Sequence, residues 1–410
     1  LKILPFNKEK ILEITEKYGT PFYIYDEKAM RENVRNLLSS FSWCEFKEYF
    51  AVKATPTPYI LNILKEEGCG LDCSSMAELI LAEKCNVSGE SIMFSSNNTP
   101  LEEYEKAMNM GAIINLDDIT HIDFLKKNLY IPSTICLRYN PGHFAVWNNI
   151  IGEPGDAKFG FTKEQLFEGY KMLKDEGVKS FGLHTMIVSN ELDGRCFIEV
   201  AKMMFELVVE IYKELSVEID FVNLGGGLGI AYRPEEKSLD LKDISEQVKD
   251  LYEVLIIKGN IKPFKLFTEF GRFITGPYGY LVSKVIHKKE IYKNYIGLDA
   301  TMADLMRPAV YCAYHHITVM GKEHKPALYK YDITGSLCEN NDKFAIDRLL
   351  PHIDTGDIIV IHDTGAHGHA MGFNYNGKLR SPELMLKEDG SVKLIRRRET
   401  LDDYFATVEW

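Results

Sequence analysis

Lys53, Gly225-Gly226-Gly227, His184 and Glu269 are the residues of this 410-residue chain whose types and surroundings could do chemistry. Lys53 follows Phe50-Ala51-Val52, so its amine emerges from an apolar run. Desolvation there would depress its pKa and free a nucleophile for a carbonyl. Three consecutive glycines let backbone amides approach a phosphate closely. His184 offers a flat ring for stacking, and Glu269 closes an apolar run with Arg272 three residues on. Each has an ordinary structural reading beside the chemical one: a strand-end lysine snorkelling to solvent, a plain turn, a satisfied core histidine, a salt bridge.

The elements that must position these groups are legible as a rhythm. Between about residues 27 and 270, short β-prone runs alternate with amphipathic stretches. The candidate strands are 47–53, 70–73, 91–95, 112–116, 133–139, 179–184, 218–224 and 265–269, with helical patterns such as 57–64, 75–83, 100–110 and 195–215 between them. Eight strands over roughly 250 residues predict an α/β fold, a (β/α)8 TIM-like barrel over 27–278. After 278 the β-rich segments 280–289, 292–298, 325–333 and 357–362 lie close together between Gly and Asn turns. They predict a second, mostly antiparallel β domain made of 1–26 and 279–410, which the strand-like Phe22-Tyr23-Ile24-Tyr25 could join.

A barrel of this kind does its chemistry at the carboxyl ends of its strands. Those ends carry Lys53, Asp72, Ser95 to Asn98, Arg138, His184, Gly225 to Gly227, and Glu269 to Arg272. An amine for an aldehyde, amides for a phosphate, a surface for a ring face and an acid for a ring nitrogen are what pyridoxal phosphate asks of a protein.

Composition narrows the partners. Sixty acidic against 48 basic side chains give a net charge of −12, which opposes nucleic-acid binding. Apolar stretches are cut well short of a membrane span, and the first residues show no signal-peptide pattern, so a cytoplasmic, non-membrane protein is expected. Eight cysteines are too dilute for a disulfide scaffold; Cys69 and Cys73 read as buried structural thiols, and no metal site is expected.

The segments Tyr49-Phe50-Ala51-Val52-Lys53-Ala54 and Leu71-Asp72-Cys73-Ser74-Ser75-Met76-Ala77-Glu78 resemble the lysine region of the alanine-racemase-fold (fold type III) pyridoxal-phosphate amino-acid decarboxylases. Among these the chain is most similar to the diaminopimelate decarboxylases. The likeness continues through Lys158-Phe159-Gly160, Leu224 to Ile230, Glu269 to Arg272, Met306 to Tyr311, Gly335-Ser336-Leu337-Cys338-Glu339, Asn374-Tyr375-Asn376 and Ile395 to Thr400, nearly the whole chain. The resemblance implies that Lys53 binds the cofactor aldehyde, His184 stacks on the ring and Glu269 pairs with the ring nitrogen. Alanine racemases of the same fold place an arginine at that last position, so Glu269 points to decarboxylation. By the same resemblance Asp72, Gly225, Gly226, Gly227, Gly271, Arg272 and Tyr375 contact the cofactor. Cys338 would reprotonate the α-carbon, and Arg272, Arg307, Tyr311, Glu339 and Tyr375 would bind substrate. The Cys-Glu loop comes from a second subunit in the family, implying a homodimer with shared sites.

The implied reaction is decarboxylation of a diamino acid at a D-configured α-carbon, with meso-diaminopimelate giving L-lysine. Departures keep D-lysine or D-ornithine open: His184-Thr185-Met186-Ile187-Val188-Ser189-Asn190 replaces the usual His-Ile-Gly-Ser-Gln, Ala366-His367-Gly368 the usual Ala-Tyr-Gly, and Phe270 a proline, while Trp147-Asn148-Asn149 marks a divergent loop. Two other classes stand beside these, a metal-dependent barrel lyase using His184, Glu269, His362, His367 and His369, and a non-catalytic decarboxylase-like regulatory binding protein.

Overall fold

Strands rich in apolar residues on both faces are buried on both faces, and eight such strands here form a closed parallel barrel. The computed structural model describes residues 2–143 and 153–410. After β1 (Phe22–Asp26), the barrel strands run in order as β2 (Phe46–Ala51), β3 (Gly70–Cys73), β4 (Ile92–Ser95), β5 (Ile113–Leu116), β6 (Thr134–Tyr139), β7 (Ser180–Thr185), β8 (Phe221–Asn223) and β9 (Lys265–Thr268). Each pairs in parallel with the next, and β9 closes on β2. All eight coincide with a strand expected from the sequence, although β8 is shorter than the expected 218–224.

Alternation sends Tyr49, Met93, Ile113, Cys136, Phe221 and Phe267 into the barrel interior, where they form one core cluster. The helices between strands start where side chains can satisfy the first free amides. Ser75 accepts from Glu78 N ahead of Met76–Lys84, Asp240 caps Leu241–Tyr252, and Thr162 with Gln165 forms a reciprocal capping box ahead of Lys163–Asp175.

The chain divides into two compact units. The barrel unit is Arg31–Ile230 with Ser238–Ile274. The other is Leu1–Met30, Ala231–Lys237 and Thr275–Trp410, so a seven-residue excursion that the sequence reading assigns to the barrel belongs with the β unit.

The β unit holds a nine-stranded sheet. Its further strands are β10 (Gly279–Glu290), β11 (Asn294–Leu298), β12 (Ile317–Val319), β13 (Tyr329–Thr334), β14 (Lys343–Leu350), β15 (Ile358–Ile361), β16 (Glu383–Leu386) and β17 (Val392–Arg396). Only β1 with β16 and β11 with β13 pair in parallel; the other pairings are antiparallel. The first half of β10 pairs with β1 and β15 and its second half with β11, a pairing that carries a register shift between Val285 and His287. β1 sits between β10 and β16, and Ile11 and Ile14 of the helix Lys8–Tyr18 join the core with Phe22, Val282, Val360 and Leu384. No helix among the described residues is long and apolar enough to cross a membrane. All eight cysteines are free thiols, and Cys69 and Cys73 are buried.

Candidate active site

The strand ends of the barrel bring Asp72, His184 and Glu269 into one buried group. Glu269, one residue past β9, accepts from Asn223 Nδ2 at 2.7 Å on Oε1 and lies 3.3 Å from His184 Nε2 on Oε2. Burial works to raise its pKa, but the neighbouring charges of His184, Lys53 and Arg138 outweigh it and hold the carboxyl below its usual range. Asp72 moves the other way. Burial drives it well above the ordinary value and the Glu269 charge adds to that, with Lys53 and the Ser95 hydroxyl opposing. Two carboxyls in one pocket are thus pushed toward different protonation states.

Lys53 takes the solvent-reaching of its two sequence readings. It stands on the 3-10 turn Val52–Ala54 beyond the end of β2 and is exposed, not desolvated, because the turn lifts it out of the buried strand. Its charge still acts on Asp72, Glu78 and Glu269.

The glycine run follows β8. Gly225 and Gly227 have positive φ, 69° and 119°, which L side chains rarely adopt. A Cβ on Gly225 would collide with the Thr185 carbonyl, and one on Gly226 would meet the Glu269 carbonyl at 2.8 Å. Asn223 ties this cradle to the carboxylate, since its Oδ1 accepts from Gly225 N at 2.8 Å while its Nδ2 donates to Glu269. The Gly226 N–H points at the Met186 thioether, 3.0 Å away. Gly271 opens the short helix Gly271–Thr275, where a Cβ would meet Ala54 Cβ at 2.7 Å; Arg272 follows it, half-buried.

The remaining candidates lie in the β unit. Arg307 is buried at the start of the helix Arg307–Tyr311. One terminal nitrogen donates to Tyr232 Oη at 2.8 Å and to His315 Nε2 at 2.9 Å. A guanidinium only donates, so Nε2 accepts and His315 is the neutral tautomer whose Nδ1–H donates to the His362 carbonyl at 2.8 Å. Tyr311, Cys338, Glu339 and Tyr375 are exposed. The Cys338 loop is shaped from below by buried Asp342, whose carboxylate accepts from Leu337 N at 2.8 Å and Met302 N at 2.6 Å. Cys338 N donates to Asn376 Oδ1 at 2.7 Å, linking the loop to the Asn374-Tyr375-Asn376 turn.

Asn223, Glu48 and Asp342 were not singled out from the sequence, and Arg138 was placed at a strand end without a role. Arg138 lies 3.4 Å from Asp117 and packs over the Phe159 ring at 4.4 Å. The signal for Asn223 and Glu48 was a polar residue inside an apolar strand. The metal reading finds no support in the geometry. No group of three or more His, Cys, Asp or Glu among the described residues is arranged to hold an ion. His362 Nε2 is bonded to Thr318 and His369 Nε2 to the Ser381 carbonyl. The loop residues Trp147, Asn148 and Asn149 lie outside the described residues.

The barrel residues fit pyridoxal phosphate. His184 Nδ1 and Asp72 Oδ1 are buried without a hydrogen-bond partner, the glycine backbone is bare of side chains, and an ionised carboxylate and an amine are both present. Residues 27–276 match the family model for the pyridoxal-binding domain of pyridoxal-dependent decarboxylases. The chain belongs to this family. It is a pyridoxal-phosphate-dependent amino-acid decarboxylase, a carboxy-lyase. Among curated proteins it is 43% identical to protein TabA of Pseudomonas amygdali pv. tabaci, covering 97% of this chain and 93% of that one. It is 33% identical to diaminopimelate decarboxylase of Methanothermobacter thermautotrophicus, covering 96% and 92%. Among solved structures, diaminopimelate decarboxylase of Methanocaldococcus jannaschii in complex with L-lysine superposes with a TM-score of 0.90 at 32% identity, covering 98% and 94%.

Proposed function

We propose that this decarboxylase acts on a diamino acid at a D-configured α-carbon, converting meso-diaminopimelate to L-lysine. The reading is carried by the ionised carboxylate of Glu269 in a barrel whose whole chain is similar to enzymes named diaminopimelate decarboxylase. Pyridoxal phosphate, when bound, supplies the electron sink that makes loss of a carboxylate from an amino acid feasible. Lys53 would supply the amine that holds the cofactor aldehyde and frees the product. Glu269 would hold a proton on the ring nitrogen, and His184 would cover the ring face. Asp72, Gly225 to Gly227, Gly271, Arg272 and Tyr375 bind the rest of the cofactor.

Cys338 Sγ delivers the proton that replaces the lost carboxylate on the α-carbon. In a homodimer it comes, with Glu339, from the second subunit. Arg307, with Arg272, Tyr311, Glu339 and Tyr375, binds the far end of the substrate, where a carboxylate calls for a guanidinium. Product analysis of the purified enzyme with meso-diaminopimelate, D-lysine, D-ornithine and their L forms tests the substrate. L-lysine and CO2 from meso-diaminopimelate are expected. Faster turnover of D-lysine or D-ornithine would replace that substrate by a simple diamino acid, with stretch 184–190 as the first region to alter.

A further inference from the structure

Glu48 is a fully buried carboxyl of the barrel wall that none of the roles above uses. It lies in β2 opposite Thr268 of β9, the last pair of the ladder that closes the barrel. Their neighbours Tyr49 and Phe267 belong to the interior cluster, so alternation turns Glu48 and Thr268 outward, behind the wall. Glu48 Oε2 accepts from Thr268 Oγ1 at 2.5 Å, and Oε1 accepts from Phe270 N at 2.7 Å. The two bonds bracket residue 269 along the chain. Past Thr268 the ladder stops, and the side chain of Glu48 supplies the acceptor that a neighbouring strand no longer offers to Phe270.

A buried carboxyl is a costly way to close a wall that an apolar side chain would fill. Burial, with the nearby Glu269 charge adding and the two hydrogen bonds opposing, pushes the Glu48 pKa up to about 8. Glu269 is held the other way by His184, Lys53 and Arg138. On the inner face the Glu269 side chain is tethered to Asn223 and His184, and its backbone N–H donates to the Gly225 carbonyl at 2.8 Å. Glu48 adds the restraint from the outer face.

We propose that Glu48 is a positioning residue: by holding Thr268 and Phe270 it fixes the turn of backbone that aims the Glu269 carboxylate at the cofactor's ring nitrogen. The inference rests on the reading of Glu269 given under Proposed function. A glutamine at 48 accepts from Phe270 N–H and donates to Thr268 Oγ1, so it preserves the clamp; a methionine fills the space and makes neither bond.

The test compares Glu48→Gln, Glu48→Met and Glu269→Gln enzymes stripped of cofactor and reloaded. Three quantities are read: pyridoxal-phosphate affinity by absorbance titration, kcat and KM separately, and the thermal midpoint. Glu48→Met is expected to weaken cofactor binding and to lower kcat by up to the order of 10²-fold, as small misplacements of reacting groups do, with KM little changed. Glu48→Gln should restore both to near wild-type values. Wild-type affinity and kcat in Glu48→Met, whatever its thermal midpoint, would overturn the proposal, and so would a glutamine variant as impaired as the methionine one. If Glu48→Met fails to fold, Thr268→Val removes one bond at constant shape and should move affinity and kcat in the same direction by less; no movement overturns the proposal. Should Glu269→Gln leave affinity and kcat intact, the reading of Glu269 falls and this inference with it. If Glu269→Gln impairs both while Glu48→Met does not, the inference alone falls.

Discussion

The barrel unit and the β unit hold their candidate residues in opposite ways. In the barrel, Asp72, His184 and Glu269 are buried; burial and the Glu269 charge push Asp72 up, while His184, Lys53 and Arg138 outweigh burial and hold Glu269 down. In the β unit, Tyr311 at the end of the helix Arg307–Tyr311 is exposed, as are Cys338, Glu339 and Tyr375 on turns braced by Asp342 and Asn376, while Arg307 is buried. A buried cluster tunes charge, whereas a braced loop tunes only position. Substitutions in the barrel cluster should therefore be coupled to one another, and those on the exposed turns should act one at a time.

The largest effect is expected from Lys53→Ala, which should abolish both the visible absorbance of the bound cofactor and turnover. No other strand-end residue in the cluster offers an amine. Cofactor absorbance retained through another lysine would dissolve the distinction between the tuned cluster and the rest of the chain. Cys338→Ala should bind cofactor normally and lose a factor of about 10² to 10⁴ in kcat, the usual worth of a proton donor. Mixing it with Lys53→Ala subunits should restore activity through heterodimers that carry one intact site; no recovery after proven subunit exchange would place each site within one chain.

Arg307→Lys is expected to raise KM for meso-diaminopimelate by about tenfold or more, the scale of a lost charge-assisted hydrogen bond, with kcat and cofactor absorbance held. An unchanged KM would make Arg307, clamped by Tyr232 and His315, a brace of the β unit alone.

The smallest effects are in stability, and the contributions of Glu48 in the barrel and of His316 and His362 in the β unit should respond to pH with opposite sign. Burial pushes Glu48 up to about 8, so the folded barrel keeps a proton that the unfolded chain gives up near pH 4.3. Its contribution to stability falls as pH rises from there to about 8. In the β unit, burial holds His316 down to about 4 and His362 to about 3. The unfolded chain takes up those protons near pH 6.5, so the stability these residues contribute is present above that pH and is lost as pH falls toward 4 and then 3. Hydrogen exchange corrected for intrinsic rates should show β12 and β15 loosening on acidification from pH 7 to 5, and Glu48→Gln should steady β2 and β9 at pH 8 but not at pH 4. Parallel responses in both units would break the contrast.

What local pattern can specify was legible in the chain. Strand periodicity and βα spacing act over a few residues, and they sufficed to locate all eight barrel strands with Lys53, His184 and Glu269 at or just beyond their ends. β12, β14, β16 and β17 were not anticipated. β12 has three residues, and β14 and β17 carry charges on exposed faces, as strands do where sheet pairing outweighs apolar content. The exposure of Lys53 agrees with the snorkelling strand-end lysine among its sequence readings; the end of β2 at Ala51 was not legible, because a terminal 3-10 turn looks like continued strand in sequence.

The residue types therefore determined the kind of chemistry by themselves: an amine, a carboxylate, an imidazole and bare amides are intrinsic to Lys53, Glu269, His184 and the three glycines. Only the tertiary structure decided which carboxyl is ionised and what holds it in place. Glu48 reaches Phe270 across 222 positions of chain, and Asn223 reaches Glu269 across 46. Such contacts exist only once the barrel has closed, because the burial and neighbouring charges that set a pKa are properties of the assembled wall and not of any segment.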